Sequence, residues 1–199
     1  VIRNLDKLGA SNWQNRKANV KKRIKDMAEK LIRVAAQREV INTEKLFITD
    51  DYNRFSNNFS FQLTDDQDLA MKDVKSDLEK GKLMDRLICG DVGFGKTEVA
   101  LRAAFVACMC GYQVALITPT TLLARQHSKL FKERFRGFPI EIGVLSRMTP
   151  RKEAELTKQE VANGSCQLVI GTHALLSKKM LFNNLGLIIV DEEQHFGVS

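Results

Sequence analysis

The residue types and spacing of Gly90-Asp91-Val92-Gly93-Phe94-Gly95-Lys96-Thr97, read as G-x-x-x-x-G-K-T, are those that polyphosphate chemistry calls for. Glycines let successive backbone N–H groups turn inward around phosphate oxygens. A helix starting at the end of the loop adds its own unpaired N–H groups and the positive end of its dipole. Lys96 supplies a cation for the β- and γ-phosphates, and the Thr97 hydroxyl is a ligand for Mg²⁺. The setting agrees with the letters. Apolar Leu87-Ile88-Cys89 predicts the end of a buried strand, and Glu98 through Phe105, free of glycine and proline, predicts a helix. Far along the chain, Asp191-Glu192-Glu193-Gln194 follows the apolar run Leu187-Ile188-Ile189-Val190. Asp191 is placed there to hold Mg²⁺ through water, and Glu192 to polarise an attacking water. Alone, the first stretch could be a glycine turn and the second a helix cap. Paired, they point to ATP hydrolysis.

These groups need elements to position them. Ser11-Asn12-Trp13-Gln14 has the form of a capping box and opens a predicted helix over 12–40. In it Val20, Ile24, Met27, Leu31 and Val34 or Ala35 make one apolar stripe, expected to lie across something apolar with Trp13 as a packing anchor. Residues 41–63 lose this period and read as a connector with turns at 50–53 and 56–58. Thr64 and Gln67 form a second capping box, opening a helix that runs to about Lys80 and stops at Gly81. Gln67 has two readings: a cap only, or an amide that reads an adenine edge while an aromatic such as Phe61 stacks nearby. From there helices over 96–110, 121–135 and one that Thr149-Pro150 caps and starts and that ends near Asn163-Gly164 alternate with apolar strands over 114–117, 140–145, 168–170 and 187–190. Strands apolar on both faces and alternating with helices predict an α/β fold, a parallel sheet covered on both sides, with ligands at the C-terminal strand ends. Two domains are expected: an N-terminal helix and connector over 1–60, and a nucleotide-binding lobe over 61–199.

At 199 residues, 44% of them hydrophobic, the chain can bury a sizeable core. No apolar run reaches the roughly 18 residues that a membrane-spanning helix needs. The chain opens at Val1 without a secretory signal, which suggests a cytoplasmic piece of something longer. Cys89, Cys108, Cys110 and Cys166 sit among apolar residues without a neighbouring histidine, so buried free thiols are expected rather than a zinc site. Residues 1–50 hold 12 Lys/Arg against 6 Asp/Glu, and the remainder 19 against 18. The basic excess therefore belongs to the N-terminal arm, which either meets a polyanion or is a solvated helix face.

Two more strand-end stretches complete the set: Thr118-Pro119-Thr120-Thr121-Leu122-Leu123-Ala124-Arg125-Gln126-His127 and Gly171-Thr172-His173-Ala174-Leu175-Leu176. With the glycine loop and the acidic stretch, they resemble the first RecA-like lobe of superfamily 2 helicase-type motors, a P-loop NTPase fold. In that superfamily such loops hold the nucleic-acid backbone, which suits hydroxyls, amides and basic groups. The resemblance implies DNA contact by Thr120, Thr121, Arg125, Thr172 and His173. Without it, Thr120 and Thr172 read as helix caps and His173 as a packed polar residue.

Within that superfamily, residues 84–105, Leu145-Ser146-Arg147 and Asp191 through Val198 are similar to the bacterial transcription-repair coupling factor family. Those are double-stranded DNA translocases that displace stalled RNA polymerase and recruit nucleotide excision repair. Leu8-Gly9-Ala10-Ser11-Asn12-Trp13 and the basic helix resemble the segment leading into that motor, so the likeness spans nearly the whole chain. By position it implies ATP at Gly90, Asp91, Val92, Gly93, Phe94, Gly95, Lys96 and Thr97, with Gln67 and Phe61 at the adenine. It implies Mg²⁺ at Thr97 and Asp191, a catalytic set of Glu192, Lys96 and Asp191, and Gln194 coupling ATP state to DNA grip. RecG-type branched-DNA helicases share the glycine loop, Gln126-His127 and Gly171 through His173. They usually have Ser where Phe94 stands and Glu where Thr121 stands, and they lack the N-terminal helix.

The resemblance also implies parts not found in these 199 residues, among them a second lobe with an arginine finger, worth about 10³–10⁵ in rate. The isolated chain is therefore expected to bind ATP weakly, to hydrolyse it barely and not to translocate. RNA polymerase and excision-repair partners would bind elsewhere in a parent protein. An uncovered sheet edge would invite pairing between copies. Rival readings are a nucleotide-gated binding module without turnover, a metabolic P-loop kinase, and an interaction piece whose basic helix docks a protein.

Overall fold

The computed structural model describes residues 11–91 and 93–192. They divide into two compact units. One comprises the described residues up to Glu44 together with Gly81–Met84, and the other comprises Lys45–Lys80 with the described residues from Asp85 onward.

The first unit is built on α1 (Ser11–Val40), 30 residues without a glycine or proline to break them. A short antiparallel bridge pairs Asn42 with Lys82, next to a hydrogen bond of 2.9 Å from the Thr43 N–H to the Gly81 carbonyl. The helix has the expected span, but its stripe is not covered. Val20, Ile24, Met27 and Leu31 are exposed, and so is Trp13, which is no packing anchor here. Among the described residues this unit has no second helix that could bury them.

The second unit holds α2 (Asp50–Asn57), α3 (Asp65–Glu79), α4 (Lys96–Met109), α5 (Thr121–Arg134) and α6 (Arg151–Asn163). Its strands are β1 (Gln113–Ile117), β2 (Ile142–Leu145), β3 (Leu168–Gly171) and β4 (Leu185–Val190), and a 3-10 turn covers His173–Leu176. All pairings are parallel, in the order β2-β3-β1-β4. Alternation along β1 explains why both faces are covered. Val114 and Leu116 join a core with Ala104, Phe105 and Phe131 of α4 and α5, whereas Ala115 and Ile117 join Val161 of α6 and Leu175 of the 3-10 turn. Phe55 of α2 is fully buried and stacks on Phe105 at 4.2 Å between ring centroids.

The register decides where the site forms. Leu145, Gly171, Ile117 and Val190 stand in one row across the four strands. The ladder continues one step beyond: Thr118 N–H to the Gly171 carbonyl at 2.8 Å, Asp191 N–H to the Ile117 carbonyl at 2.8 Å, and Thr172 N–H to the Leu145 carbonyl at 3.3 Å. Ser146, Thr172, Thr118 and Asp191 thus leave the sheet side by side, at its C-terminal edge. Gly171 is required there by space, because a Cβ would lie 2.3 Å from the Leu145 carbonyl oxygen.

Further sequence expectations need correction. The connector contains α2, hidden because its sequence Asp-Asp-Tyr-Asn-Arg-Phe-Ser-Asn reads as turns while only Phe55 is buried. Leu87-Ile88-Cys89 is not a strand: Leu87 and Cys89 are exposed, and the segment joins no ladder. Its anchor is Arg86, whose Nε and Nη1 donate to Asp77 at 2.6 Å and Asp73 at 2.8 Å on α3. Thr149 does not cap α6. Its hydroxyl accepts the Ser146 N–H at 3.0 Å, and Pro150 stands at the cap position. Of the four cysteines expected to be buried free thiols, all are free but only Cys108 and Cys166 are buried; Cys89 is exposed and Cys110 half-buried, and burial pushes the Cys166 thiol up to about 11.

Candidate active site

The glycine loop enters α4 directly. Gly93 and Gly95 take left-handed backbone conformations, φ 86° and 71°, which only glycine adopts without strain. Gly95 stands at the N-cap of α4, where no side chain caps the helix, so the first N–H groups of α4 have no capping side chain. A Cβ at Gly95 would also meet the Gln67 side chain. The Lys96 ammonium is turned back into the loop, donating to the carbonyls of Gly90 and, at 3.0 Å, Asp91. Phe94 projects its ring into solvent.

Gln67 is a cap, and both ends of its amide are engaged within the protein. Its Oε1 accepts the Thr64 N–H at 3.0 Å and its backbone N–H donates to the Thr64 hydroxyl at 3.2 Å, a reciprocal capping box. Its Nε2 donates to the Phe94 carbonyl at 2.7 Å. α3 thus holds the loop through Gln67 and the preceding segment through Asp73 and Asp77. Phe61 is 76% exposed, and its ring meets Phe59 edge-on at 5.6 Å.

Asp191 lies at the end of β4. His127 of α5 brings Nε2 to 2.8 Å from its Oδ2. That bond is the main reason the Asp191 carboxyl is held below the usual carboxylate range, against the opposing effect of its burial, with the Lys96 ammonium adding to it. The Lys96 ammonium therefore acts on the Asp191 carboxylate although the two come from opposite ends of the lobe's sequence. Glu192 has φ 55°, a left-handed conformation uncommon for a residue with a side chain.

The other strand-end loops converge on the same edge. Thr120 is exposed, and its hydroxyl caps α5 by accepting the Leu123 N–H at 3.2 Å. Thr121 is half-buried and Arg125 exposed on the first turns of α5. Thr172 is buried and its side chain does not cap the 3-10 turn, while His173 is exposed beside it. The fully buried Thr118 ties these loops together, its hydroxyl lying 3.0 Å from the Thr120 carbonyl and 3.3 Å from that of Gly171. Val92 and Gln194 lie outside the described residues. Two residues escaped sequence reasoning. Thr118 stands in the stretch that carries the DNA-contact candidates but left no signal of its own. His127 carries a local signal only as part of the Gln126-His127 ending shared with RecG-type helicases, and nothing in it points to Asp191, 64 residues away.

Among the described residues no group of three or more His, Cys, Asp or Glu could cage a metal. A Thr hydroxyl and one carboxylate are instead the sparse oxygen set that suits Mg²⁺ held jointly with phosphates. No described helix is long and apolar enough to cross a membrane.

A glycine loop feeding a helix, facing an acidic strand end at the C-terminal edge of a parallel sheet, defines a RecA-like P-loop lobe. The family model of the DEAD/DEAH box helicases matches residues 64–199, and the chain belongs to that family. The transcription-repair-coupling factor of Rickettsia conorii is 50% identical over 98% of this chain, and that of Bacillus subtilis 48% identical over 98%. The chain spans 18% and 17% of the length of those proteins. RecG bound to a three-way DNA junction superposes with a TM-score of 0.76 at 36% identity, covering 84% of this chain and 23% of that one. A hypothetical ATP-dependent RNA helicase from Sulfolobus tokodaii gives 0.57 at 17% identity, over 74% of this chain and 42% of that one, a likeness of fold alone.

Proposed function

We propose that this chain is the ATP- and DNA-binding first lobe of an ATP-dependent double-stranded DNA translocase of the transcription-repair coupling type, acting in the cytoplasm. The parent protein displaces stalled RNA polymerase and hands the site to excision-repair proteins, which it binds through parts outside these residues. The observation that carries this reading is the glycine loop opening straight into α4, with Gly93 and Gly95 at positive φ and no side chain capping the helix. Likeness to transcription-repair-coupling factors at 50% identity across 98% of the chain, α1 included, favours them over RecG at 36% across 84%.

In this reading Lys96 exchanges the Gly90 and Asp91 carbonyls for phosphate oxygens, which the loop amides and the start of α4 surround. Gln67 releases the Phe94 carbonyl to read the adenine, with the exposed Phe61 beside it. Thr97 and Asp191 hold Mg²⁺, which when bound neutralises charge developing on the phosphates. Glu192 orients and deprotonates the attacking water. Thr120, Thr121, Arg125 and His173 meet DNA phosphates, Thr172 being too buried to join them as the resemblance implied, and Gln194 links the two functions.

Calorimetry of Mg·ATP binding tests the reading. The wild-type chain should bind, and Lys96→Ala should bind about 10- to 100-fold more weakly, the worth of charged hydrogen bonds, while remaining folded by circular dichroism. A folded wild type that ignores Mg·ATP, or a Lys96→Ala variant of unchanged affinity, would falsify it.

A further inference from the structure

The acidic end of β4 is held by a residue that belongs to neither nucleotide motif. The Asp191 N–H is fixed to the Ile117 carbonyl at 2.8 Å, so its backbone is set by the sheet. Its carboxylate retains two side-chain torsions, restrained by the backbone N–H of Glu192 and, as the side-chain contact, by His127 Nε2 at 2.8 Å from Oδ2. The imidazole is itself well fixed. Only 11% of its side chain is exposed, and it stands edge-on to Phe131, one turn further along α5, at 6.2 Å. Its other nitrogen, Nδ1, is buried without a partner. The ring therefore spends its one hydrogen bond on Asp191, and with an ionised carboxylate opposite, Nε2 carries the hydrogen.

A polar nitrogen left unpaired in the interior is a cost that packing alone does not require, since an apolar ring would fill the same space beside Phe131. We propose that His127 is a positioning residue: it occupies Oδ2 of Asp191 so that the other oxygen is presented in one orientation to the Mg²⁺ of the bound nucleotide. The proposal rests on the reading of Asp191 as a Mg²⁺ ligand. Partners of this kind fix the direction of a ligating carboxylate, and their loss typically costs 10- to 100-fold in metal affinity.

The test is a titration of Mg²⁺ into the 199-residue chain with saturating ADP, beside ADP affinity in EDTA, for wild type, Asp191→Ala, His127→Phe and His127→Gln. His127→Phe keeps a ring against Phe131 and removes the donor. It should weaken Mg²⁺ at least roughly tenfold while ADP affinity in EDTA stays at the wild-type value. His127→Gln, whose Nε2 sits near that of the histidine, should recover most of that loss. Wild-type Mg²⁺ affinity in His127→Phe overturns the proposal, and so does an equal loss with and without Mg²⁺, the mark of a purely structural role. If His127→Phe does not fold, His127→Asn, whose amide is too short to reach Oδ2, carries the same expectations. A wild type that gains nothing from Mg²⁺, or an Asp191→Ala variant that keeps the gain, removes the metal reading itself and the proposal with it.

Discussion

Glu98 is the residue whose surroundings are least like those of its type. It follows Thr97 in the first turn of α4 and is 4% exposed. Its carboxylate accepts from Arg102 Nε at 2.8 Å and from Arg134 Nη2 at 2.9 and 3.2 Å. Arg134 lies over the rings of Phe55 and Phe59, at 4.8 and 5.3 Å from their centroids. One carboxylate thus joins the helix that leaves the glycine loop to α5, with α2 packed beneath. Two guanidinium groups on one buried acid make its removal expensive, because both charges lose their partner together. Glu98→Ala should lower the unfolding free energy by about 3–5 kcal/mol in a urea titration, the range for breaking one side of a buried ion pair. Replacing all three residues by apolar ones of similar volume should recover much of that loss. A loss below about 1 kcal/mol in the single variant would mean that the pairs behave as surface ones.

At the scale of elements, α3 and α5 do the positioning, and they differ in how far the sequence reveals it. α3 announces itself through Thr64 and Gln67, and its capping box is formed as its letters require. Its second task is electrostatic. Asp77 accepts from Arg86 at 2.6 Å and Lys80 at 2.8 Å, and chiefly the Arg86 bond holds its carboxyl below the usual range. A carboxyl depressed in the folded state stabilises fully above its unfolded pKa, about 3.9, and loses that contribution as pH falls through its lower folded value. Arg86→Ala should therefore melt below wild type at neutral pH, by on the order of 1 kcal/mol, with the gap closing as pH falls below about 4. A gap independent of pH would assign the loss to packing of the Arg86 stem instead. α5 shows the limit of legibility. Its start and span follow from Thr120 and the apolar pattern, but its contacts with Asp191 and Glu98 join residues 64 and 36 apart, and no local period encodes such pairs. α2 was hidden for the opposite reason: a single buried ring gives no period to read. The Leu87 segment misled because an apolar run records a tendency toward burial, whereas a strand also needs a ladder partner.

For the whole molecule, charge separates what the N-terminal arm and the rest of the chain can do. The first 50 residues carry 12 Lys/Arg against 6 Asp/Glu, while the remaining residues are almost balanced at 19 against 18. Long-range attraction to a polyanion must therefore come mostly from the arm, whatever short-range contacts the strand-end loops make. Lys21, Lys22 and Arg23 are all exposed on α1, but so is the apolar stripe of the same helix, which would equally suit a protein partner. Salt dependence separates these uses, because each phosphate contact releases counterions and adds about 0.9 to the slope of log affinity against log salt for duplex DNA. Reversing the three charges together, Lys21→Glu, Lys22→Glu and Arg23→Glu, should flatten that slope by about 2–3 if all three meet phosphates. Mg·ATP affinity should stay unchanged, since none of the residues assigned to the nucleotide site lies on α1. An unchanged slope alongside weaker binding to a protein partner would assign α1 to protein docking, and DNA contact would then rest on Thr120, Thr121, Arg125 and His173 alone.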